Sequence, residues 1–188
     1  MKVDPAPLEG ILIVHPDVFP DDRGLFMETY REARYEAQGI PTPFVQDNLS
    51  RSRRGTLRGL HFQHPQGQAK LIQAIQGEIY DVCVDIRTGS PGFGRWFGLR
   101  LTAGEPVQLF LPEGFAHGFC ALSDEAVVLY KCSLAYAPEG DAGILWSDPD
   151  IGIVWPIEDP LLSPKDRTLP RLREIPRERL PGYGEDLS

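Results

Sequence analysis

The segment 55–70 reads GTLRGLHFQHPQGQAK and sets two of the chain's four histidines, His61 and His64, with Arg58 and Lys70 among apolar residues that alternate like a strand. Ionisable groups woven into a strand either face water or line a pocket. In a pocket, His61 is suited to take a proton, since an unperturbed imidazole titrates near ~6.5. Lys70 is suited to steady a developing oxyanion. Tyr130, in the apolar run 126–135, is suited to give a proton up. Such a set can do proton chemistry without a metal.

A metal reading draws on 111–119, LPEGFAHGF. Its Pro-x-Gly-x-x-His spacing resembles the second motif of cupin barrels, where the histidine, here His117, often binds a metal with two histidines and a glutamate from a first motif. The candidate first motif offers His61 and His64 at i, i+3, which a regular strand turns to opposite faces. Glu78 follows the turn at Gly77, but the constellation is incomplete, and no bound catalytic metal is expected.

Strand-sized segments must position these groups. Alternation and turn residues predict strands over 10–15, 25–30, 44–50, 57–63, 70–76, 79–86, 96–101, 107–111, 117–122 and 126–135, with one helix over 30–38 stopped by Gly39 and Pro41. Regular strands between Gly/Pro turns and so little helix predict a β-sandwich or barrel. Parity puts Val128, Tyr130, Cys132, Leu134 and Tyr136 on one face. It puts Arg58 and His61 on opposite faces unless Gly59 marks a bulge. Beyond Trp155 the chain is proline-rich, and 170–188 reads as a surface tail.

Composition narrows the field. The 188 residues suit one domain with a substantial core, and 41% hydrophobic with 24% charged residues is globular. A net charge of −8 argues against generic attraction to nucleic acid or an anionic membrane. No signal segment opens the chain, and no apolar run nears the roughly 20 residues of a membrane span. Cys83, Cys120 and Cys132 are widely spaced in apolar runs, and read as buried reduced thiols of a cytoplasmic protein.

Taken singly, these residues have ordinary readings. A histidine on a strand is commonly a hydrogen-bonded core or surface group, a tyrosine in an apolar run is core, and the arginines at 51, 53 and 54 form a solvated turn. The combination is more specific. Arg23, Gly24, Leu25 and Phe26; Gln46, Asp47 and Asn48; the LRGLHFQ of 57–63; Lys70; His117, Gly118 and Phe119; and Ser163, Pro164, Lys165 and Asp166 occur in order. Together they resemble the dTDP-4-dehydrorhamnose 3,5-epimerases of dTDP-L-rhamnose biosynthesis, over about residues 8–170.

That resemblance implies a metal-free, cofactor-free cupin jelly roll that inverts C3 and C5 of dTDP-4-dehydro-6-deoxy-D-glucose, both α to the C4 ketone. It implies His61 as base, Asp166 as its carboxylate partner, Lys70 near the C4 oxygen and Tyr130 as the acid on the opposite face. Arg23, Phe26, Glu28, Gln46, Asp47, Asn48, Arg58, His117 and Lys165 would bind substrate, with Arg23 and Arg58 suited to the pyrophosphate. Tyr136 would stack on thymine. Asp141 stands where the family usually has glutamate. A homodimer with N-terminal strand exchange is implied, so that Arg23 and Glu28 would come from the partner. The alternatives are a C3-only or C5-only epimerase of a related dTDP-sugar, a metal-dependent cupin oxygenase or isomerase, and a non-catalytic sugar-nucleotide-binding barrel.

Overall fold

A computed structural model of the protein describes residues 1–40 and 43–184. Pro41 and the last four residues of the expected tail lie outside the described residues. The chain forms two facing antiparallel sheets. One contains β1 (Lys2–Pro5), β2 (Leu12–His15), β10 (Gln108–Leu111), β7 (Lys70–Gln76), β12 (Glu125–Cys132) and β5 (Gln46–Arg53), in that order across the sheet. The other runs β13 (Asp141–Gly143), β6 (Leu57–Gln63), β11 (Phe115–Ala121), β8 (Glu78–Asp85) and β9 (Trp96–Thr102). A separate hairpin pairs β3 (Val18–Asp21) with β4 (Gly24–Met27). This is the expected cupin-type jelly roll.

The core between the sheets follows from period-two alternation. Ile72 and Ala74 of β7, Ala126 and Val128 of β12, Ile79 and Cys83 of β8, and Phe119 and Ala121 of β11 all point into it. The opposite faces are covered too. Val82 and Val84 pack outward against Ile151, Leu172 and Leu180. Leu71 and Phe110 pack against the short α-helix α1 (Glu32–Glu36) through Tyr35. The Tyr35 hydroxyl lies 2.7 Å from Gln108 Oε1 and 2.8 Å from the Thr29 carbonyl, so the packed face keeps its polar atoms bonded. Burial pushes that phenol's pKa up to about 12.

Several expectations are corrected. β1, β3 and β13 have no counterpart among the predicted strands, because each is only three or four residues long and shows no usable alternation. The helix is five residues rather than nine. Arg51 and Arg53 belong to β5, whose polar sequence concealed its length. The segment beyond 170 is not wholly a surface tail: Leu172 and Leu180 are 6% and 5% exposed within a core cluster.

The bulge expected at Gly59 is present. Phe119 pairs with Arg58, yet His117 pairs with His61, so β6 spends one residue more than β11 over this step. The extra residue returns Arg58 and His61 to the same side. Gly59 has φ +116°, and a Cβ there would lie 2.6 Å from both Gly118 Cα and the His117 carbonyl oxygen. Gly59→Ala therefore should destabilise the fold by roughly 2 kcal/mol or more, seen as a fall in thermal midpoint. An unchanged midpoint would show that this crossing does not need glycine.

Candidate active site

The two sheets part at one end to leave a cavity of about 480 Å³. The strand registers explain its walls. On β12, Ala126 and Val128 face the core, and the same face continues with Tyr130 and Cys132 into the cavity. On β7 the inward row Ala74, Ile72 ends at Lys70, which pairs with Cys132. Gln46, Asn48 and Ser50 enter from alternate positions of β5. The other sheet supplies Arg58 and His61 from β6 and His117 from β11. His61 and His117 are cross-strand partners, while Tyr130 and Lys70 come from the facing sheet.

His61 Nε2 lies 2.6 Å from Asp166 Oδ1, from a residue 105 positions away in sequence. With Nε2–H donating to the carboxylate, Nδ1 keeps its lone pair for a substrate proton. Asp166 is 3% exposed and sits at the start of a 3-10 turn, Asp166–Thr168. Its own N–H donates to Ser163 Oγ at 3.0 Å. Desolvation pulls the His61 pKa below its ordinary value, outweighing the opposite pull of Asp166. Desolvation also lowers Lys70 and raises Tyr130. The histidine is thus biased neutral, ready to accept, and the tyrosine protonated, ready to donate.

His117 is buried, and its Nε2 donates to Asp81, 2.9 Å from Oδ2 and 3.0 Å from Oδ1. Asp81 has no exposed surface. Sequence reasoning missed it, although alternation with Ile79 and Cys83 placed a carboxylate on the inward face of β8. Ser50 was also missed. Its Oγ is buried against this cavity without a hydrogen-bond partner, and only the β5 parity with Gln46 and Asn48 signals it.

At the rim, the Tyr136 hydroxyl donates to Asp141 Oδ2 at 3.0 Å, and Lys165 Nζ pairs with the same oxygen. Arg58 is aimed by Ser52, whose Oγ accepts from Nε at 3.0 Å. Tyr136 lies beyond the end of β12, so its place in the cavity owes to the following loop rather than to strand parity. His64 is not among the cavity residues. Among the described residues, no group of three or more His, Cys, Asp or Glu side chains is placed to hold a metal ion.

Four expected binding residues lie away from the cavity. Asp47 faces outward to Lys131 at 2.8 Å, because parity with Gln46 and Asn48 turns it away. Arg23 and Phe26 sit on the β3–β4 hairpin. There the Arg23 side chain is 90% exposed and bonds only its neighbour Asp21. Glu28 follows the hairpin and pairs with Arg34 at 3.0 Å.

A carboxylate-backed imidazole facing a tyrosine and a lysine inside a cupin-type double sheet suits acid–base chemistry, and comparison with known proteins makes the chain an isomerase. The family model described as dTDP-4-dehydrorhamnose 3,5-epimerase matches residues 5–174. An epimerase of that name from Methanothermobacter thermautotrophicus is 54% identical over 172 residues, covering 90% of this chain and 93% of the relative. A crystal structure of the dTDP-6-deoxy-D-glucose-3,5-epimerase of Legionella pneumophila, in complex with dTDP-4-keto-L-rhamnose, superposes with a TM-score of 0.95 at 44% identity. It covers 98% of this chain and 99% of that one. A dTDP-4-dehydrorhamnose 3-epimerase from Streptomyces niveus is 43% identical over 169 residues, 89% of this chain and 82% of the relative. The chain belongs to the dTDP-4-dehydrorhamnose 3,5-epimerase family.

The His61–Asp166 contact sets a sign that NMR can read. His61 should titrate below the ordinary histidine value. Asp166→Ala should lower it further, since the carboxylate that favours the protonated ring is gone. A rise on that substitution would contradict the placement of Asp166.

Proposed function

We propose that this chain converts dTDP-4-dehydro-6-deoxy-D-glucose to dTDP-4-dehydro-L-rhamnose, with His61 as the base at both C5 and C3. The observation that carries the reading is the carboxylate-backed imidazole of His61 in one cavity with Tyr130 and Lys70 of the facing sheet. His61 Nδ1 takes the α-proton, and the C–H electron pair moves into an enolate with charge on the C4 oxygen. Lys70 stabilises that oxygen. Tyr130 delivers a proton to the opposite face, which inverts the carbon and restores the ketone. Solvent exchange then resets the imidazolium and the phenolate before the second carbon reacts.

The nucleotide end is served by the rim. Arg58 meets the diphosphate, and Tyr136, Asp141 and Lys165 meet the nucleoside side. Gln46 and Asn48 extend from β5 beside them, and His117, fixed by Asp81, adds a polar group to the sugar pocket. The free hydroxyl of Ser50 finds its hydrogen bond in the ligand, because a buried hydroxyl left unpaired is costly.

Arg23, Phe26 and Glu28 reach a substrate only if a second copy brings its hairpin to this cavity. Two features support such a homodimer. The hairpin exposes Phe19, Leu25 and Phe26 at 57%, 60% and 70%, and β5 is an unpaired sheet edge carrying Leu49 at 63%. An exposed apolar hairpin and an open strand edge are complementary by β-augmentation. Buried thiols at Cys83, Cys120 and Cys132 suit a reducing cytoplasm.

The second reading, epimerisation at one carbon, is favoured by the 43% identity to the Streptomyces niveus 3-epimerase. Turnover in D₂O separates them: the double epimerase places deuterium at both C3 and C5, and label at one carbon overturns it. His61→Ala should abolish exchange at both carbons. Lys70→Ala should slow it by roughly 10²–10³-fold, the usual effect of a lost oxyanion donor. Sedimentation should give a dimer, and an active monomer would remove Arg23, Phe26 and Glu28 from the site.

A further inference from the structure

The three-residue turn that carries Asp166 is too short to fix its own direction, so its flanks must do so. On the N-terminal side, the Leu161 N–H donates to the Gly55 carbonyl at 2.8 Å, and its carbonyl accepts from Leu57 N–H at 3.0 Å. On the C-terminal side, the Pro170 carbonyl accepts from Leu145 N–H at 2.8 Å. The next anchor is a side chain. Asp148 Oδ2 accepts from Leu172 N–H at 2.8 Å, while its Oδ1 accepts from Asp150 N–H at 2.9 Å.

Asp148 is 2% exposed. A carboxylate is costly to bury, and it is tolerated here because backbone N–H groups occupy both oxygens. Its own backbone is fixed as well: Asp148 N–H donates to the Leu145 carbonyl and its carbonyl accepts from Gly152 N–H. The loop 145–152 is therefore a cradle that grips residues 170–172 at two points.

That grip is transmitted to the base. Between Asp166 and Pro170, Leu169 lies against Gly143, where an added Cβ would come within 2.8 Å of Leu169 Cδ1. Gly143 is the β13 residue that pairs with His61. Asp148 thus holds the strap, the strap seats Leu169 on the partner of His61, and the turn between its two anchors presents Asp166 to the ring.

We propose that Asp148 is a positioning residue for the His61–Asp166 pair, remote from the cavity, which fixes the strap that carries Asp166. This rests on the reading of His61 as the base. The test compares Asp148→Ala, Asp148→Asn and Asp150→Ala in the full chain, each alone and with Asp166→Ala. It reads dTDP affinity, thermal midpoint and deuterium wash-in from D₂O across pH.

Asp148→Ala should slow wash-in roughly 10–100-fold, as a small misplacement of a reacting group does. Its dTDP affinity should fall far less than its wash-in rate, because Lys165 rides on the strap whereas Arg58, Gln46, Asn48 and Tyr136 are on other elements. The acid limb of its profile should move to lower pH, as in Asp166→Ala. Asp148→Asn keeps one acceptor oxygen and should recover part of the rate, and it serves for the cycle if the alanine variant does not fold. Asp150→Ala removes only the surface pair with Arg173 and should leave wash-in unchanged.

In the Asp166→Ala background, loss of Asp148 should cost less than about twofold more. A full multiplicative loss there, or normal wash-in in Asp148→Ala, overturns the proposal and leaves the base assignment standing. Normal wash-in in Asp166→Ala likewise overturns the proposal alone, whereas normal wash-in in His61→Ala overturns the base assignment itself, and the proposal with it.

Discussion

An imidazole at the wall of a cavity is a poor base unless something orients it and absorbs the charge it acquires. Here that something is a carboxylate 105 residues away, held 2.6 Å from the ring. Burial alone biases His61 toward its neutral form, and Asp166 pulls the other way. The balance gives a ring that is empty at rest yet supported once it takes a proton. Several contacts beyond Ile144 bear on that one distance: the Leu161 anchor, the Ser163 hydroxyl and the cradle around Asp148 all act on where Asp166 sits.

The polar cavity is continuous with the apolar core. Along β7 and β12 the paired inward residues run Ala74 with Val128, Ile72 with Tyr130 and Lys70 with Cys132. Nothing in the backbone changes along that path. The row simply moves from a filled interior to an open end, where side chains carry polar tips on apolar stems. The direction of the Lys70 and Tyr130 shifts follows from this border position, since each group shares its surroundings with the core. An acidic protein of net charge −8 still gathers three basic side chains, Arg58, Lys70 and Lys165, at this end, beside the carboxylates Asp141 and Asp166.

Legibility in the sequence tracks how local each determinant is. β6 and β7 run over the expected 57–63 and 70–76, because glycine and proline bracket clear alternation there. Even the Gly59 bulge was readable, since a glycine inside a strand invites one. Asp166 was reached only through family resemblance, as no local pattern links it to His61. Asp81 was open to parity but hidden by its run of valines. β13 exists because β6 needs a neighbour, and Asp148 works because Leu172 returns to it from 24 residues away. Those are tertiary facts, and neither propensity nor period carries them.

The bulge and the strap then solve one problem from two sides. Regular pairing of β6 with β11 would turn Arg58 away from His61, leaving phosphate recognition and proton abstraction on different surfaces. Gly59 and Gly118 let the two backbones close to a distance no Cβ would tolerate, and the extra residue in β6 restores both side chains to one wall. Across the sheet, Gly143 has no side chain to obstruct Leu169, so the strap can settle directly above the residue paired with His61. Glycines on three neighbouring strands therefore permit the close approaches on which the imidazole–carboxylate geometry depends. The chemical groups themselves could be recruited from almost anywhere in the chain.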